Sequence, residues 1–397
     1  NGACRKETSG TMCPSYMVTR EEKDSTRGRA NALRGLLDGE LDADALTDGT
    51  MEEVMDLCIS CKGCLSECPT GVDMAPMKEE VLHKIHKEKG AGLRDRFFSQ
   101  IGPMARKFEP LAPFLSGLQT IPGAQFLTKK ILNIASEREL PKLAPDPFPF
   151  DQYPDLPANL DDPVLLYVDS FTGYIEPEIA RCAARVLETL GYDVVAPRFP
   201  CCGRPMMSKG FLKRARTQIN RNLETLMPFI RQGISVIGLE PSCVSVLTED
   251  IHRFVEHEHA RAVSEAVRPF VDFLAECSSD RLEGLGRVPD RILIHGHCHQ
   301  KALFGTSAPQ QLFSMLDAPD VRVIDSGCCG MAGSFGFEKE HLQHSRAMGE
   351  RVLLPEARSM EAGERLIASG TSCRQQIKGF TSREATHPAT YLERQLE

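Results

Sequence analysis

The chain has 397 residues, of which 41% are hydrophobic and 26% are charged, and its formal net charge is −8. This composition is ordinary for a globular protein of two or three domains and argues against a disordered chain. The negative charge and the lack of a basic block argue against nucleic acid as a partner. No apolar run approaches the roughly eighteen residues of a spanning helix, so we expect no transmembrane segment.

Fifteen cysteines fall in tight clusters, and no signal peptide precedes them. A chain of this size does not need disulfides to stabilise its core, so the clusters predict metal-bound thiolates in a reducing cytoplasm. The sequence begins at Asn1-Gly2-Ala3-Cys4, without an initiator Met and already inside a cysteine motif. We therefore expect it to be part of a longer protein.

Residues 1–140 are predicted to form a helical ferredoxin-like domain with a helical extension. Its central motif is Cys58-Ile-Ser-Cys61-Lys-Gly-Cys64-Leu-Ser-Glu-Cys68-Pro. This is the C-x2-C-x2-C-x3-C-P spacing with which bacterial ferredoxins bind [4Fe–4S] clusters. A zinc knuckle or a disulfide pair is the alternative, but zinc sites usually separate two C-x2-C pairs by about a dozen or more residues.

Residues 141–163 contain seven prolines and are predicted to form an extended linker. The pattern then changes to alternating strands and helices, and this alternation occurs twice. The predicted strands are 164–168, 194–195 and 234–239, then 292–294, 321–324 and 366–368; the predicted helices are 176–190 and 211–231, then 308–316 and 338–353. The predicted fold is therefore a helical ferredoxin-like domain followed by two related α/β domains with parallel sheets, 164–285 and 286–397.

Each α/β repeat carries Cys-Cys-Gly after its second strand. In the second repeat, Cys298 follows the first strand, Cys328 and Cys329 follow the second, and Cys373 follows the third. The carboxyl ends of parallel strands lie at one edge of a sheet, so all four thiols can meet there and bind a metal cluster. A pair of buried free cysteines is the alternative. Histidines at positions 295, 297 and 299 alternate about Cys298 and can tune a cluster or ligate it.

The first repeat has a smaller set of thiols. Cys201, Cys202 and Cys243 match three of the four positions, but the spacing places Thr172 at the position of the fourth. An incomplete set of thiolates leaves an iron to be satisfied by another group. Metal binding and a structural role therefore both remain open for these three cysteines.

The duplicated Cys-Cys-Gly motif after a two-cluster helical domain resembles the iron–sulfur subunits of glycolate oxidase and anaerobic glycerol-3-phosphate dehydrogenase, and the cysteine-rich subunit of heterodisulfide reductase. A narrower resemblance is carried by the motifs at residues 1–6, 12–16, 19–22, 25–30 and 171–174. These motifs resemble the C-terminal half of fused FAD-linked D-2-hydroxyacid dehydrogenases, and the resemblance covers essentially the whole chain. It implies two CCG-type cysteine-rich domains and an FAD bound by a preceding domain or partner subunit.

Two [4Fe–4S] cubes need four thiolates each, and the first 90 residues offer six cysteines. The ferredoxin pattern predicts the ligands in two sets: Cys58, Cys61 and Cys64 with Cys13 of Cys13-Pro14 for one cube, and Cys68 with Cys4 for the other. The resemblance implies that one missing ligand is a cysteine upstream of residue 1. Free structural thiols are the alternative for Cys4 and Cys13. Cys298, Cys328, Cys329 and Cys373 are the predicted ligands of a third cluster.

The predicted function is electron transfer in an FAD-dependent dehydrogenase of D-2-hydroxyacids such as glycolate, lactate or 2-hydroxyglutarate. Electrons would pass from the flavin through the clusters to a quinone or a redox protein, and no residue of this chain is predicted to be catalytic. The alternatives are a catalytic cluster at Cys-Cys-Gly like that of heterodisulfide reductase, the iron–sulfur subunit of an anaerobic glycerol-3-phosphate dehydrogenase, and a zinc-binding scaffold. The expected location is the cytoplasm, with peripheral attachment to the inner face of the membrane as a further option.

Overall fold

The computed structural model describes residues 2–8, 10–119, 121–153 and 161–396, apart from the side chains at 43, 118 and 122. Within these ranges the N-terminal part is helical, as predicted. Its helices α1–α9 are Pro14–Thr19, Thr26–Asp38, Thr50–Asp56, Gly63–Glu67, Met74–Lys89, Leu93–Ser99, Ile101–Lys107, Ala112–Gln119 and Pro122–Ile131. The longest, α5, starts where the Asp73 carboxylate accepts a hydrogen bond from the Ala75 N–H, and it ends at Gly90.

The proline-rich segment is packed onto the first α/β repeat. The Phe148 N–H donates to the Gly173 carbonyl and the Ala144 N–H donates to the Tyr174 carbonyl, at 2.9 and 2.8 Å. The Phe148 ring is buried and stacks on Tyr153. Two of the prolines in the predicted linker, at 154 and 157, lie outside the described residues.

The first α/β repeat contains a four-stranded parallel sheet in the order β2-β1-β3-β4. The strands β1–β4 are Pro163–Tyr167, Asp193–Val195, Ser235–Gly238 and Val267–Pro269. Its helices α10–α17 are Ser170–Tyr174, Pro177–Thr189, Arg204–Ser208, Leu212–Ile230, Pro241–Thr248, His257–Ala266, Phe270–Ala275 and Ser279–Leu282. The predicted strands and the two long helices are confirmed. Strand β4 was not predicted; it is a three-residue edge strand that ends in proline.

The second repeat contains a three-stranded parallel sheet in the order β6-β5-β7. The strands β5–β7 are Arg291–Ile294, Val321–Val323 and Glu364–Ile367, and the helices α18–α23 are Cys298–Leu303, Ser307–Met315, Leu342–Glu350, Leu353–Ser359, Thr371–Phe380 and Pro388–Glu393. The predicted helix over 338–353 is shorter, because residues 338–341 form a turn after a short 3-10 helix. The predicted fold class is confirmed, and the sheet order of the second repeat is that of β2-β1-β3 in the first.

The central strands are buried on both faces, as expected for parallel sheets covered by helices. Along β1, Val164 and Leu166 pack into one apolar cluster while Leu165 and Tyr167 pack into another. The first of these clusters also contains Ile292 of β5, so the two repeats share apolar core. Helix α23 packs on α11, where Arg185 pairs with Glu393 at 2.8 Å. No helix in the described ranges is long and apolar enough to cross a membrane.

Candidate functional site

The second repeat brings its four predicted thiols together at the carboxyl edge of its sheet. Cys298 is the first residue of α18, which follows β5, and Cys373 is the third residue of α22, which follows β7. Cys328 and Cys329 lie in the loop after β6. The thiols form a chain of contacts, from Cys298 to Cys328, from Cys328 to Cys329 and from Cys329 to Cys373. All four cysteines are buried.

These contacts shift the pKa values of the four thiols in opposite directions. Contact with Cys328 lowers the pKa of Cys298 to about 6, and contact with Cys328 lowers the pKa of Cys329 as well. The same contacts, together with burial, raise the pKa values of Cys328 and Cys373. The lowered pKa values favour the thiolate form, which is the form of cysteine that binds metals, at Cys298 and Cys329.

His295 lies beside this group. Its Nδ1 is 2.8 Å from the Ser326 hydroxyl, while its Nε2 is buried and has no hydrogen-bond partner among the described residues. Burial lowers the pKa of His295 to about 3, and Cys329 is one of its electrostatic neighbours. A neutral imidazole with a free ring nitrogen is suited to hydrogen bonding with a cluster or to ligating it.

The first repeat forms a matching group at the edge of its own sheet. The Cys202 and Cys243 sulfurs are 3.0 Å apart, and Cys201 contacts Cys202. Cys243 is the third residue of α14, as Cys373 is of α22. All three thiols are buried. The glycine after each cysteine pair has a positive φ, +94° at Gly203 and +89° at Gly330, which lets the chain turn beside the thiols.

The residue in the place of Cys298 is Ser170. It is the first residue of α10, which follows β1 as α18 follows β5. The Ser170 hydroxyl contacts the Cys201 thiol, just as Cys298 contacts Cys328. The placement of Thr172 by spacing was wrong, because Thr172 lies only 29 residues before Cys201. Ser170 lies 31 residues before Cys201, one more than the 30 residues from Cys298 to Cys328, since the loop from β2 to Cys201 is one residue longer than the loop from β6 to Cys328. The Thr172 hydroxyl instead hydrogen-bonds to the Asp169 carboxylate at 2.8 Å.

The six N-terminal cysteines form a third group. Cys58, Cys61 and Cys64 are electrostatic neighbours, and Cys13 is a neighbour of Cys61. Cys13 is also in contact with Cys4, and the contact lowers the pKa of Cys4 to about 5 while raising that of Cys13. Cys13 therefore lies between the two predicted ligand sets. Cys68 is half-buried and has Cys4 as an electrostatic neighbour.

Backbone N–H groups point at several of these sulfurs. Thr26 donates to Cys13 at 3.0 Å, Arg27 donates to Cys4 at 3.4 Å and Met74 donates to Cys64 at 3.3 Å. The donors of Cys13 and Cys4 lie in the first turn of α2, where free N–H groups favour a negative ligand. Ser60 and Lys62 have left-handed backbone conformations, with φ of +50° and +58°. The chain between Cys58 and Cys64 therefore turns sharply between its cysteines.

A cavity of about 320 Å³ connects the three groups of thiols. Its lining includes five cysteines, Cys58, Cys201, Cys202, Cys243 and Cys298. The N-terminal group and the second-repeat group are also neighbours directly, through Cys61 and Cys298. All three groups therefore lie around one interior space.

Buried polar contacts fix this arrangement. Lys62, between two of the N-terminal cysteines, pairs with Asp250 of the first repeat at 2.9 Å, and both side chains are 1% exposed. His299 of the second repeat donates from Nε2 to the Ser60 carbonyl at 3.0 Å, and its Nδ1 is 2.9 Å from the Ser245 hydroxyl of the first repeat. Burial lowers the pKa of His299, so it is neutral. Sequence reasoning missed Lys62, Asp250 and Ser245, because their partners are distant in the chain.

One acidic cluster outside the cysteine groups has a different explanation. Glu338, Glu340 and His341 lie close enough to share a metal ion. Glu338 is instead paired with Lys209 at 2.6 Å, and Glu340 is paired with Arg94 at 2.5 Å. These ion pairs satisfy the carboxylates, and we assign the cluster no metal.

The donor sets fit iron–sulfur clusters. Three groups of thiols converge, and nearly all of these thiols are buried. Contact with a second thiol lowers the pKa of Cys4 in one group and of Cys298 in another, and backbone N–H groups are directed at the sulfurs of the N-terminal group. Thiolate sulfur is the ligand that Fe–S clusters use, and hydrogen bonds to the sulfurs set their potential. Isolated buried thiols would not require this convergence.

Two domain families match this chain. Residues 1–72 match a 4Fe-4S dicluster domain, and residues 168–248 match a cysteine-rich domain of the CCG type. The first match contains all six N-terminal cysteines. The second contains the three thiols of the first repeat and Ser170.

Curated relatives cover most of the chain at low identity. D-2-hydroxyglutarate dehydrogenase of Pseudomonas putida is 25% identical over 98% of this chain, but the match covers only 42% of that protein. A subunit of the anaerobic glycerol-3-phosphate dehydrogenase of Escherichia coli is 26% identical over 77% of each chain. Glycolate oxidase iron-sulfur subunit of Escherichia coli is 23% identical over 97% of this chain and 91% of that one.

The chain thus spans less than half the length of the D-2-hydroxyglutarate dehydrogenases that it matches. The relatives are named as dehydrogenases, or as subunits of dehydrogenases and oxidases. Together with the two domain matches and the convergent thiols, this identifies the chain as an iron–sulfur protein with a 4Fe-4S dicluster domain and CCG-type cysteine-rich sequence.

Proposed function

We propose that this chain is the electron-transfer part of an FAD-dependent D-2-hydroxyacid dehydrogenase, with the flavin on a preceding domain or a partner subunit. The observation that carries the proposal is the convergence of three thiol groups around one cavity, with Cys61 next to Cys298. Such a series of sites suits the passage of electrons from one cluster to the next. The match to D-2-hydroxyglutarate dehydrogenase along nearly the whole chain supports the substrate class.

The proposed ligands of the N-terminal clusters are Cys58, Cys61, Cys64, Cys13, Cys68 and Cys4, and those of a third cluster are Cys298, Cys328, Cys329 and Cys373. A bound [4Fe–4S] cluster takes up and releases one electron at a time. The chain's own residues set the conditions for this transfer. The N–H groups of Thr26, Arg27 and Met74 hydrogen-bond to the sulfurs of Cys13, Cys4 and Cys64. These hydrogen bonds stabilise added negative charge and raise a reduction potential.

The test is the content of iron and acid-labile sulfide in anaerobically purified chain, with EPR spectra after reduction. We expect about eight irons or more per chain and cluster signals that appear on reduction. Cys61→Ser should remove about four irons, whereas Cys182→Ser, a buried thiol outside the three groups, should remove none. Zinc in place of iron, without sulfide, would contradict the proposal and favour a scaffold.

A surface feature supports an acceptor in the membrane. Helices α8 and α9 leave large apolar side chains in solvent, with Phe114 72% and Phe126 68% exposed and Leu127 and Ile131 also exposed. Residues 110–136 contain no Asp or Glu but include two lysines in α9, although the whole chain is negative. Apolar side chains flanked by lysines suit the surface of an anionic bilayer. We propose that this surface, the α8–α9 patch, attaches the protein to the membrane face where a quinone would accept electrons.

The α8–α9 patch is tested by cosedimentation with vesicles that contain anionic lipid. The wild-type chain should sediment with them, and the double variant Phe126→Ser, Leu127→Ser should remain in solution. Leu37→Ser is the matched control, because Leu37 is 85% exposed but lies in α2. Equal sedimentation of the wild type and the double variant would contradict membrane attachment through this patch.

The cavity favours a second candidate function. Cys201, Cys202 and Cys243 of the first repeat and Cys298 of the second line it. A substrate there could react at the Cys201-Cys202 pair, as the resemblance to heterodisulfide reductase implies. Such a reaction would use two electrons and two protons to convert a disulfide into two thiols. If it occurs, a small disulfide should reoxidise the reduced wild-type chain, and Cys202→Ser and Cys329→Ser should abolish the reoxidation. A reduced chain that stays reduced would exclude this candidate.

A further inference from the structure

We propose that the first α/β repeat also holds an iron–sulfur cluster, through the thiolates of Cys201, Cys202 and Cys243 and the hydroxyl oxygen of Ser170. The inference rests on the proposed function, because it takes the chain to be loaded with iron and sulfide. It adds a fourth cluster site to the chain and gives that site a mixed sulfur and oxygen ligand set.

The two repeats place their cysteine groups at matching positions. In each, the first residue of the helix after the central strand faces the cysteine pair, and the third residue of the helix after the third strand completes the group. These positions hold Cys298 and Cys373 in the second repeat and Ser170 and Cys243 in the first. The two groups therefore differ at one atom, with oxygen in the place of sulfur.

The contacts around Ser170 agree with a ligand role. Its hydroxyl contacts the Cys201 thiol. A Cβ atom at position 102 would lie 2.8 Å from both the Ser170 oxygen and the Cys201 sulfur, so Gly102 of α7 leaves room beside the two atoms. Ser170 and the three thiols all line the cavity. A cluster bound here would be accessible from the cavity.

Two buried carboxylates hold the helices that carry the outer members of this group. Asp169 caps α10 and Glu240 caps α14, and both side chains are buried. Ser170 is the first residue of α10 and Cys243 is the third residue of α14. The two caps therefore help to fix Ser170 and Cys243 beside the cysteine pair.

The oxygen ligand distinguishes this site from its counterpart. Hydroxyl oxygen is a harder donor than thiolate and binds the iron of a sulfur-rich cluster less strongly. One iron of the first-repeat cluster would therefore differ in its electronic environment from the other irons. That difference gives the inference a spectroscopic signature that a purely structural serine would not produce.

The test uses the full chain, loaded anaerobically with ⁵⁷Fe and sulfide, and compares Mössbauer spectra and iron content. Wild type should show a component from oxygen-ligated iron, and Ser170→Cys should convert that component to the four-sulfur type without loss of iron. Thr172→Cys is the matched control and should leave the component unchanged, because the Thr172 hydroxyl is bonded to Asp169. Cys202→Ser should lower the content by about four irons.

Two results would overturn the inference. The first is a Ser170→Cys spectrum identical to that of wild type, and the second is an iron content that Cys202→Ser does not change. Since Ser170→Cys places the residue of the second repeat in the same position, its result does not depend on how well Cys202→Ser folds. A wild-type chain without iron in any group would instead contradict the proposed function itself.

Discussion

The two α/β repeats are built on the same frame and differ where their chemistry lies. The first three strands of the first sheet have the same order as the three strands of the second. Each cysteine pair is followed by a glycine in the left-handed conformation, and the last thiol of each group is the third residue of the helix after the third strand. The second repeat completes its group with Cys298 and the first with Ser170. The comparison shows that a duplicated group of side chains can keep its geometry while one sulfur atom is replaced by oxygen.

The repeats also hold the N-terminal domain in different ways. The first repeat contributes Asp250, whose carboxylate pairs with the buried Lys62. The second contributes His341, whose Nε2 is 2.9 Å from the Asp56 carboxylate. The first attachment is an ion pair between a lysine and an aspartate, whereas the second uses a histidine. The three predictions below separate the metal sites and these two attachments.

The largest effect is expected from the cysteine pair of the second repeat. Cys329→Ser should remove about four irons, because Cys329 contacts two other thiols of its group. Iron and sulfide analysis, with EPR of the reduced protein, measures the loss. Cys277→Ser is the control, since this thiol lies 3.4 Å from the Tyr192 hydroxyl and outside the three groups. An unchanged iron content in Cys329→Ser would mean that the thiols of the second repeat bind no cluster. The two repeats could then not be compared as metal sites.

The attachment of the first repeat should be the stronger of the two. Asp250→Asn leaves the buried Lys62 ammonium with Asp73 alone, at 3.3 Å. Breaking a buried ion pair in this way typically costs about 3–5 kcal/mol of unfolding free energy. Denaturant unfolding of the variant should show this loss, and Asp280→Asn, at an exposed position, should behave as wild type. Equal stability of the two variants would show that the Lys62 pair contributes nothing to docking.

The attachment of the second repeat should depend on pH. Burial opposes the charge of His341, but its hydrogen bonds to Asp56 and Glu338 outweigh that effect and raise its pKa to about 9. Because the folded pKa lies above the usual value of about 6.5, the stabilisation is complete below pH 6.5 and is lost as the pH rises through about 9. His341→Gln should therefore cost roughly 2 kcal/mol at pH 6 and much less at pH 9.5.

Thermal unfolding at the two pH values measures this difference, with the exposed His257→Gln as control. A loss of stability that is the same at both pH values would mean that His341 acts by packing and not by charge.

The sequence predicted the helical N-terminal domain, the two parallel α/β repeats and the convergence of Cys298, Cys328, Cys329 and Cys373. These features can be predicted from the spacing of apolar residues and cysteines along the chain, and from the rule that the carboxyl ends of parallel strands lie at one edge of the sheet. Ser170 was missed because the predicted position, Thr172, was two residues too late, and a count of residues cannot show that one loop is a residue longer than its counterpart. The edge strand β4 was missed because three residues ending in proline carry no strand pattern.

The remaining parts of the site depend on contacts between distant parts of the chain. His299 joins Ser60 and Ser245, which lie 239 and 54 residues away from it. Lys62 and Asp250 are likewise brought together only by docking of the N-terminal domain on the first repeat. No local pattern encodes such pairs, so only the folded structure reveals the common cavity.

The central claim is that iron occupies the thiol groups of both repeats as well as those of the N-terminal domain. Anomalous diffraction at the iron absorption edge, from crystals of anaerobically loaded wild-type chain, tests it most directly. We predict anomalous density at the N-terminal cysteines, among Cys298, Cys328, Cys329 and Cys373, and among Ser170, Cys201, Cys202 and Cys243. Iron density confined to the N-terminal domain, with both Cys-Cys-Gly groups empty, would contradict the account.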